Sequence, residues 1–378
     1  MRQIYLDYNA TTPVAPLVQE ALRPFLAEHF GDPAGDYPLG RACHEAIEDA
    51  REQVASLLGA ERDEIVFTSG GTESNNLALK GVLLRGGPAG GGHLVTTTQE
   101  HPAILQPARF LEQWGCEVTY VGCDRWGLVD PDEIKAALRG DTQLVSVIHA
   151  NHEIGTIQPL RAIAEVCHAR GVLLHTDAAQ TCGKIRTQVD ELGVDLLSLA
   201  GHKLYAPKGI GALYVRRGTA IDPILHGAGQ EAGLRAGTEN TAFIVGLGRA
   251  AWLAACGLDA AAERLAMLRD RLAGHLREGI GERFSQNGAL QAQLPNTLSV
   301  NFPEVTATEL LRRIPELCAS AGSDAPSGAG GRSSVLKAIE LPETTARGTV
   351  RFSLGAYTSE EDIDRAASLL IGGWQDLR

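Results

Sequence analysis

The chain has 378 residues, 44% of them hydrophobic, enough for one large core and a second, smaller one. Its 46 acidic against 34 basic side chains give a net charge of −12, which argues against nucleic acid or an anionic membrane as the main partner. No apolar run reads as the roughly 20 residues needed to span a bilayer, and the opening MRQIYLDYNATTP lacks the apolar stretch of a signal peptide, so a cytoplasmic location is expected. The seven cysteines (43, 116, 123, 167, 182, 256 and 318) are odd in number and form no CxxC pair. That pattern excludes a disulfide framework and a structural zinc site, and most of them read as reduced core residues.

From about residue 65 to 218, short β-branched runs alternate with helical patterns. EIVFT precedes a helix from Glu73, HLVTTT precedes a helix after Pro102, and EVTYVG precedes the capped helix DPDEIKAALRG. TQLVSVIHA, the helix LRAIAEVCHARG and the strands VLLHTD and DLLSLAG continue the series. The alternation predicts βαβ units and a mostly parallel sheet, with ligands beyond the carboxyl ends of the strands. RGGPAGGGH (85 to 93) precedes a strand instead of following one, so it reads as a loop and not as a phosphate cradle. An Ala/Leu/Arg-rich helical stretch from 241 to about 280 then bridges to LPNTLSVNFP, TATELLRRI and TVRFSLGAY. A last helix opened by a capping box over Thr358 to Glu361 completes a small α+β domain.

Three strand ends carry polar residues suited to one task. VLLHTDAAQ ends its strand on Asp177 with Gln180 one turn on, and DLLSLAGHK ends on His202 and Lys203. A lysine and a carboxylate on neighbouring parallel strands match the needs of pyridoxal phosphate. The lysine forms a Schiff base, and the carboxylate keeps the pyridine nitrogen protonated. TSGGTESNN (68 to 76) reads as strand, glycine turn and helix start, whose free N–H groups and dipole favour a phosphate, with Thr72 adding a hydroxyl. Taken singly, these features also read as a helix cap, a loop and a plain helix start; their joint occurrence in this order points to the cofactor.

The chain resembles the cysteine desulfurase family, the class V branch of fold type I pyridoxal-phosphate enzymes that also contains selenocysteine lyase. The resemblance runs nearly end to end, through YLDYNATTP, TSGGTESNN, QEHPAI, HANHEIGTIQP, HTDAAQ, GHKLYAPKGIGALYV, GQEAGLRAGTEN and RFSLGAYTSEEDID. It implies a large α/β domain over 13–250 with a mostly parallel seven-stranded sheet. Residues 1–12 and 251–378 would form the small domain, carrying the substrate-side loop 319–332 and Arg351. It implies Lys203 as the Schiff-base lysine, Asp177 on the pyridinium nitrogen, and His101 over the ring as a proton shuttle. Asn151 and Gln180 would bond the ring's phenolic oxygen, and Gly71, Thr72 and His202 would hold the phosphate. Asn151 is also placed with Arg351 on the substrate side, where Arg351 would clamp the carboxylate of a small amino acid. Thr238 would reach the partner subunit's phosphate, which makes the expected assembly a homodimer with shared sites. Metal, nucleic acid and membrane have no place in this reading.

One loop departs from the family. Where the pattern runs roughly S-S-G-S-A-C-T-S-G, this chain reads SAGSDAPSG from Ser320 to Gly328, so Ala325 stands at the position of the nucleophilic cysteine. Gly322–Ser323 and Ser327–Gly328 fix the register from both sides, and the neighbouring Asp324 and Pro326 differ as well. Cys318 reads as buried core on a strand entering the loop, and no cysteine follows it. Ala200 replaces a serine, Ala232 an arginine, His152 an asparagine and Tyr37 a histidine, so the substrate end has changed more than the cofactor end.

An alanine cannot accept sulfur, so relay of a persulfide to an acceptor protein is not expected. The cofactor's chemistry does not need that cysteine. A Cβ–S or Cβ–Se lyase acting on a substrate with a good leaving group is therefore the first reading. A catalytically silent cofactor-binding partner and a pyridoxal-phosphate enzyme with a different amino-acid reaction stay open beside it.

Overall fold

The computed structural model describes residues 3–85, 91–322 and 332–378. Among them are thirteen strands in three sheets. Short runs of Val, Ile, Leu and Thr, too short for stable helices, form strands that find buried partners. After β1 (Ile4–Tyr5) come the seven strands of the large sheet: β2 (Ile65–Thr68), β3 (His93–Thr97), β4 (Glu117–Val121), β5 (Thr142–Ser146), β6 (Leu173–Asp177), β7 (Leu196–Ala200) and β8 (Gly211–Val215). Their order is β2-β8-β7-β6-β5-β3-β4, and only β8 runs antiparallel to its neighbours. The mostly parallel seven-stranded sheet is thus present as expected.

Every residue of β7 and β8 is buried, as in a sheet covered by helices on both faces. The edge strand β4 is half-exposed from Glu117 onward. The opposite edge, β2, is sealed by a bidentate ion pair between Arg51 and Glu231, with N···O distances of 2.8 Å. Arg51 donates to the Ile65 carbonyl and Glu231 accepts from Phe67 N–H, groups that a bare edge would leave open.

The C-terminal part adds β9 (Ser285–Asn287), β10 (Thr297–Asn301), β11 (Leu317–Cys318), β12 (Ser320–Ala321) and β13 (Thr349–Ser353). Four of these form an antiparallel sheet in the order β12-β13-β10-β9, and β11 pairs in parallel with β1. The extreme N-terminus therefore belongs to this second core, to which Ile4 and Leu6 contribute beside Leu298, Val300 and Phe352.

The helix Thr241–Ile280 joins the two cores. It gives Ile244, Leu247 and Ala251 to the first, and Leu268, Leu272 and Leu276 to the second. Each buried leucine contributes about 1.5–3 kcal/mol over leaving it exposed. Contrary to the sequence reading, the segment Thr241–Arg283 is long and apolar enough to cross a bilayer. Its helical spacing instead directs apolar side chains into two cores in turn.

Two local expectations are also corrected. The last helix, Glu360–Asp376, is capped by Ser359 with Asp362 as its reciprocal partner, one residue later than the Thr358–Glu361 box; Thr358 Oγ1 accepts from Gly355 N–H instead. Cys318 is half-buried and not a core residue, although four of the seven cysteines are buried, as expected of most of them; Cys123 is half-buried and Cys256 exposed.

Candidate active site

β6 and β7 are parallel neighbours, so their carboxyl ends open on one side of the sheet. β6 ends on Asp177, and β7 is followed at once by the tight turn Gly201–Lys203. Asp177, His202 and Lys203 thereby line one cavity of about 330 Å³ together with His101 and Gln180.

Asp177 is buried and held from two sides. Its Oδ2 accepts from Asn75 Nδ2 at 2.7 Å and its Oδ1 from Ala179 N–H at 3.0 Å. Asn75 lies four residues after Gly71 in the helix Gly71–Leu83, hence on the same face and against the same cavity. The Lys203 amine donates to the carbonyls of Asn9 and Ala10, the latter at 2.9 Å. Burial and then the nearby Arg351 charge bring its pKa down to about 8, against the opposing pull of Asp177. A sizeable neutral fraction near neutral pH is what a nucleophilic amine requires.

Between β2 and the helix Gly71–Leu83, Gly70 has φ of +147°, which favours glycine. At Gly71 a Cβ would lie 3.2 Å from Ala200 Cβ, so the first turn sits close against the end of β7. The first-turn N–H groups have no intrahelical acceptors, and the exposed Thr72 and the half-buried His202, whose Nδ1 lies 3.2 Å from Thr11 Oγ1, stand beside them. Together they make a seat for an anion.

His101 caps the helix Pro102–Gln113, its Nδ1 accepting from Ala103 N–H at 3.0 Å. That bond assigns the proton of the neutral ring to Nε2. Burial lowers its pKa, Asp177 opposes the shift and Lys203 adds to it. The His152 ring stands edge-on to it, with centroids 5.2 Å apart.

A second cavity of about 370 Å³ adjoins the first and shares His101 and His152 with it. Arg351, on β13, lines it. Its Nη2 donates to Asp7 Oδ1 at 2.7 Å and to Ser320 Oγ at 2.8 Å, and its Nη1 to the His152 carbonyl at 3.0 Å. Nε is buried without a partner among the described residues. Arg351 faces this cavity and its Nη1, with two donors, makes one hydrogen bond among the described residues, so the guanidinium has a donor left for a carboxylate.

Not every expected residue reaches the site. Asn151 is fully buried and its amide is committed to backbone, donating to the Gln99 carbonyl and accepting from Glu153 and Ile154 N–H. It lines neither cavity, whereas the adjacent His152 lines both. Tyr37 is exposed and lines neither cavity, and Thr238 is exposed and absent from the lining of its own chain's cavity. Ala325, with Ser323, Asp324 and Pro326, lies outside the described residues.

Sequence reasoning missed Asn75, although it belongs to a quoted motif and helical spacing puts it on the face of Gly71. It also missed Glu100, which is fully buried beside His101. Glu100 Oε1 accepts from Thr97 Oγ1 and Ile148 N–H, both at 2.8 Å, and Oε2 has no partner among the described residues. Burial pushes its pKa up to about 8, partly offset by those bonds and increased by Asp177.

An attachment amine, a buried carboxylate, a histidine cap and an anion seat around one cavity fit pyridoxal phosphate, and with the mostly parallel sheet they define a fold type I enzyme of that cofactor. The class-V aminotransferase model matches residues 4–366, and the chain belongs to that family, among its pyridoxal-phosphate-dependent cysteine desulfurases. It is 47% identical over 371 residues to the cysteine desulfurase IscS of Dictyoglomus turgidum, covering 98% of this chain and 94% of that one. It is 44% identical to a cysteine desulfurase of a Nostoc species, covering 98% and 92%. Among solved structures, a NifS-like protein matches with a TM-score of 0.91 at 36% identity over 99% of both chains. SspA in complex with cysteine matches with 0.83 at 38% identity over 94% of this chain and 99% of that one.

Proposed function

We propose that this enzyme is a lyase that cleaves the Cβ–S or Cβ–Se bond of a cysteine-type amino acid without storing sulfur on a cysteine of its own. The placement of its thiols carries the reading: all seven cysteines lie among the described residues, and none lines either cavity. The alanine at 325 agrees with this. The cysteine in the SspA structure supports a substrate of that class.

When bound, pyridoxal phosphate supplies the electron sink that makes the substrate's Cα proton labile. The remaining work falls to side chains. Lys203 attaches the cofactor, Asp177 keeps its ring nitrogen protonated, and the first turn at Gly71 and Thr72 with His202 holds the phosphate. Arg351 orients the substrate carboxylate in the adjoining cavity. His101 offers its Nε2 proton as a hydrogen bond to a departing anion. Hydrogen selenide, sulfite from a sulfinate, or a persulfide from cystine leave more readily than the sulfur of plain cysteine, so a protein thiol is dispensable. A sulfinate releases its sulfur at the oxidation level of sulfite, so protonation at Cβ gives alanine, whereas loss of hydrogen selenide or a persulfide is a β-elimination that gives pyruvate with ammonia after addition of water.

The reading includes a homodimer, supported by the exposed Thr238, which makes no part of its own chain's cavity. Mass-spectrometric product analysis of the cofactor-loaded protein with L-cysteine, L-cystine, L-selenocysteine and L-cysteine sulfinate tests the function. Catalytic alanine or pyruvate from at least one of the last three is the expected result. No product from any of the four, with the cofactor's visible band intact, overturns it.

A further inference from the structure

Beneath the cofactor cavity lies a buried lysine that the proposed reaction does not use. Lys184, in the turns that follow β6, is 8% exposed. Its Nζ donates to Gln180 Oε1 at 2.9 Å and to Asn9 Oδ1 at 3.1 Å. Burial, and then the nearby Lys203 and Arg351 charges, hold its pKa well below the usual lysine range, and its amine hydrogens face the oxygen ends of both amides. For Gln180 this turns Nε2 the other way, to the Asn9 carbonyl at 3.0 Å, the same carbonyl that the Lys203 amine uses. For Asn9 it turns Nδ2 toward Thr297 Oγ1 at 2.8 Å and the His152 carbonyl at 3.4 Å. Asn296 Nδ2 reinforces this by donating to Asn9 Oδ1 at 3.0 Å and to the Leu354 carbonyl.

We propose that Lys184 is a positioning residue that fixes the Gln180 amide with its oxygen downward, so that a donor and not an acceptor is available to the cofactor's phenolic oxygen. The inference rests on the cavity being the pyridoxal-phosphate site. An amide free to turn over would present Oε1 to an oxygen that carries negative charge, which repels it. Losing the amine also strands the buried Gln180 Oε1, at the desolvation cost that an unmade hydrogen bond carries, while Asn9 Oδ1 keeps Asn296 Nδ2. Either consequence weakens the stabilisation of the deprotonated phenolic oxygen. Lys203, Asp177, Arg351 and its partner Asp7, charged groups around the site, stay in place.

The test is a pH titration of the visible absorption band in the full-length, cofactor-loaded protein. It compares the parent with Lys184→Met, Lys184→Arg, Gln180→Ala and the Lys184→Met/Gln180→Ala pair. Lys184→Met and Gln180→Ala are each expected to move the midpoint by about one pH unit, a tenfold change in proton affinity. The double variant should move no further than Gln180→Ala alone, because both changes remove one interaction. Lys184→Arg, which has only donors, should stay near the parent. A further cavity of about 370 Å³, lined by Tyr8, Arg264 and Lys184 itself, gives the longer side chain room.

A Lys184→Met protein that titrates like the parent overturns the proposal. So does a double variant equal to the sum of the singles, since Lys184 would then act on Lys203 by charge and not through Gln180. If the methionine variant does not fold, Lys184→Arg decides: a shift as large as that of Gln180→Ala refutes the positioning role. A parent protein with no visible band would contradict the cofactor reading itself, a different outcome from any of these.

Discussion

The two halves of the site are held by different means. On the cofactor side, each polar group sits at the end of an element whose interior is buried: Asp177 closes β6, Lys203 lies one turn past β7, and Gly71 and Thr72 stand where β2 gives way to a helix. Packed strands fix such ends in space. The substrate side is gathered from separate segments, Asp7, His152, Ser320 and Arg351, tied by hydrogen bonds between residues as much as 344 positions apart. A site half anchored in one sheet and half assembled across the boundary with another can change its substrate end while leaving the cofactor end intact, which is the pattern of departures along this chain.

The contrast breaks most severely where the cofactor is attached. Lys203→Ala should abolish the visible band of the loaded protein and all turnover, and retained turnover would contradict the assignment. Asp177→Asn should leave the band but reduce kcat by about 10²-fold or more, because a neutral amide does not keep the ring nitrogen protonated. On the substrate side, Arg351→Lys should act mainly on KM, raising it about 10-fold or more with a smaller change in kcat. A compact ammonium loses the planar two-point hold on a carboxylate.

Two pH effects sharpen the account of the cofactor end. Covalent capture of pyridoxal phosphate by the cofactor-free protein should accelerate as pH rises toward about 8 and level off above it, following loss of the proton from Lys203. A stopped-flow absorbance series checks this; a rate independent of pH between 6 and 9 would remove the lowered amine pKa from the account. For Glu100 the folded-state pKa is raised to about 8, above the value of an unfolded glutamate. The native state then binds more protons than the unfolded state between those values. Its contribution is complete below the unfolded pKa and is lost as pH rises through about 8, at about 1 kcal/mol per pH unit. Glu100→Gln, which cannot titrate, should lack that decline when denaturant midpoints are compared from pH 5 to 8. The smallest effect belongs to Cys318→Ser, expected to leave turnover within about twofold, since this half-buried thiol lines neither cavity.

The cofactor side was legible because its residues punctuate apolar runs. A strand that ends in Thr-Asp and another followed at once by Gly-His-Lys announce both the element and its carboxyl end, and the parallel pairing of β6 and β7 does the rest. At Asn151 local competition sets the geometry: its side-chain carbonyl oxygen accepts from the Glu153 and Ile154 N–H groups, and His152 faces the cavity, neither of which sequence spacing reveals. It shifted by one at the last helix because Thr358–Glu361 and Ser359–Asp362 both fit the capping pattern, and only packing selects the second. Glu100 and Lys184 could not be found at all, since burial of a charged side chain is a property of distant neighbours. Asn9, from the other end of the chain, and Gln180 accept from Lys184, and the distant Asn296 holds Asn9 in turn.

The most direct test of a lyase that stores no sulfur is intact-mass spectrometry of the cofactor-loaded protein during turnover, sampled without reductant and quenched by a thiol-blocking reagent. The account predicts that alanine or pyruvate accumulates while the protein mass shows only the blocked cysteines. A product that forms together with one added sulfur or selenium atom on any of the seven cysteines would contradict it.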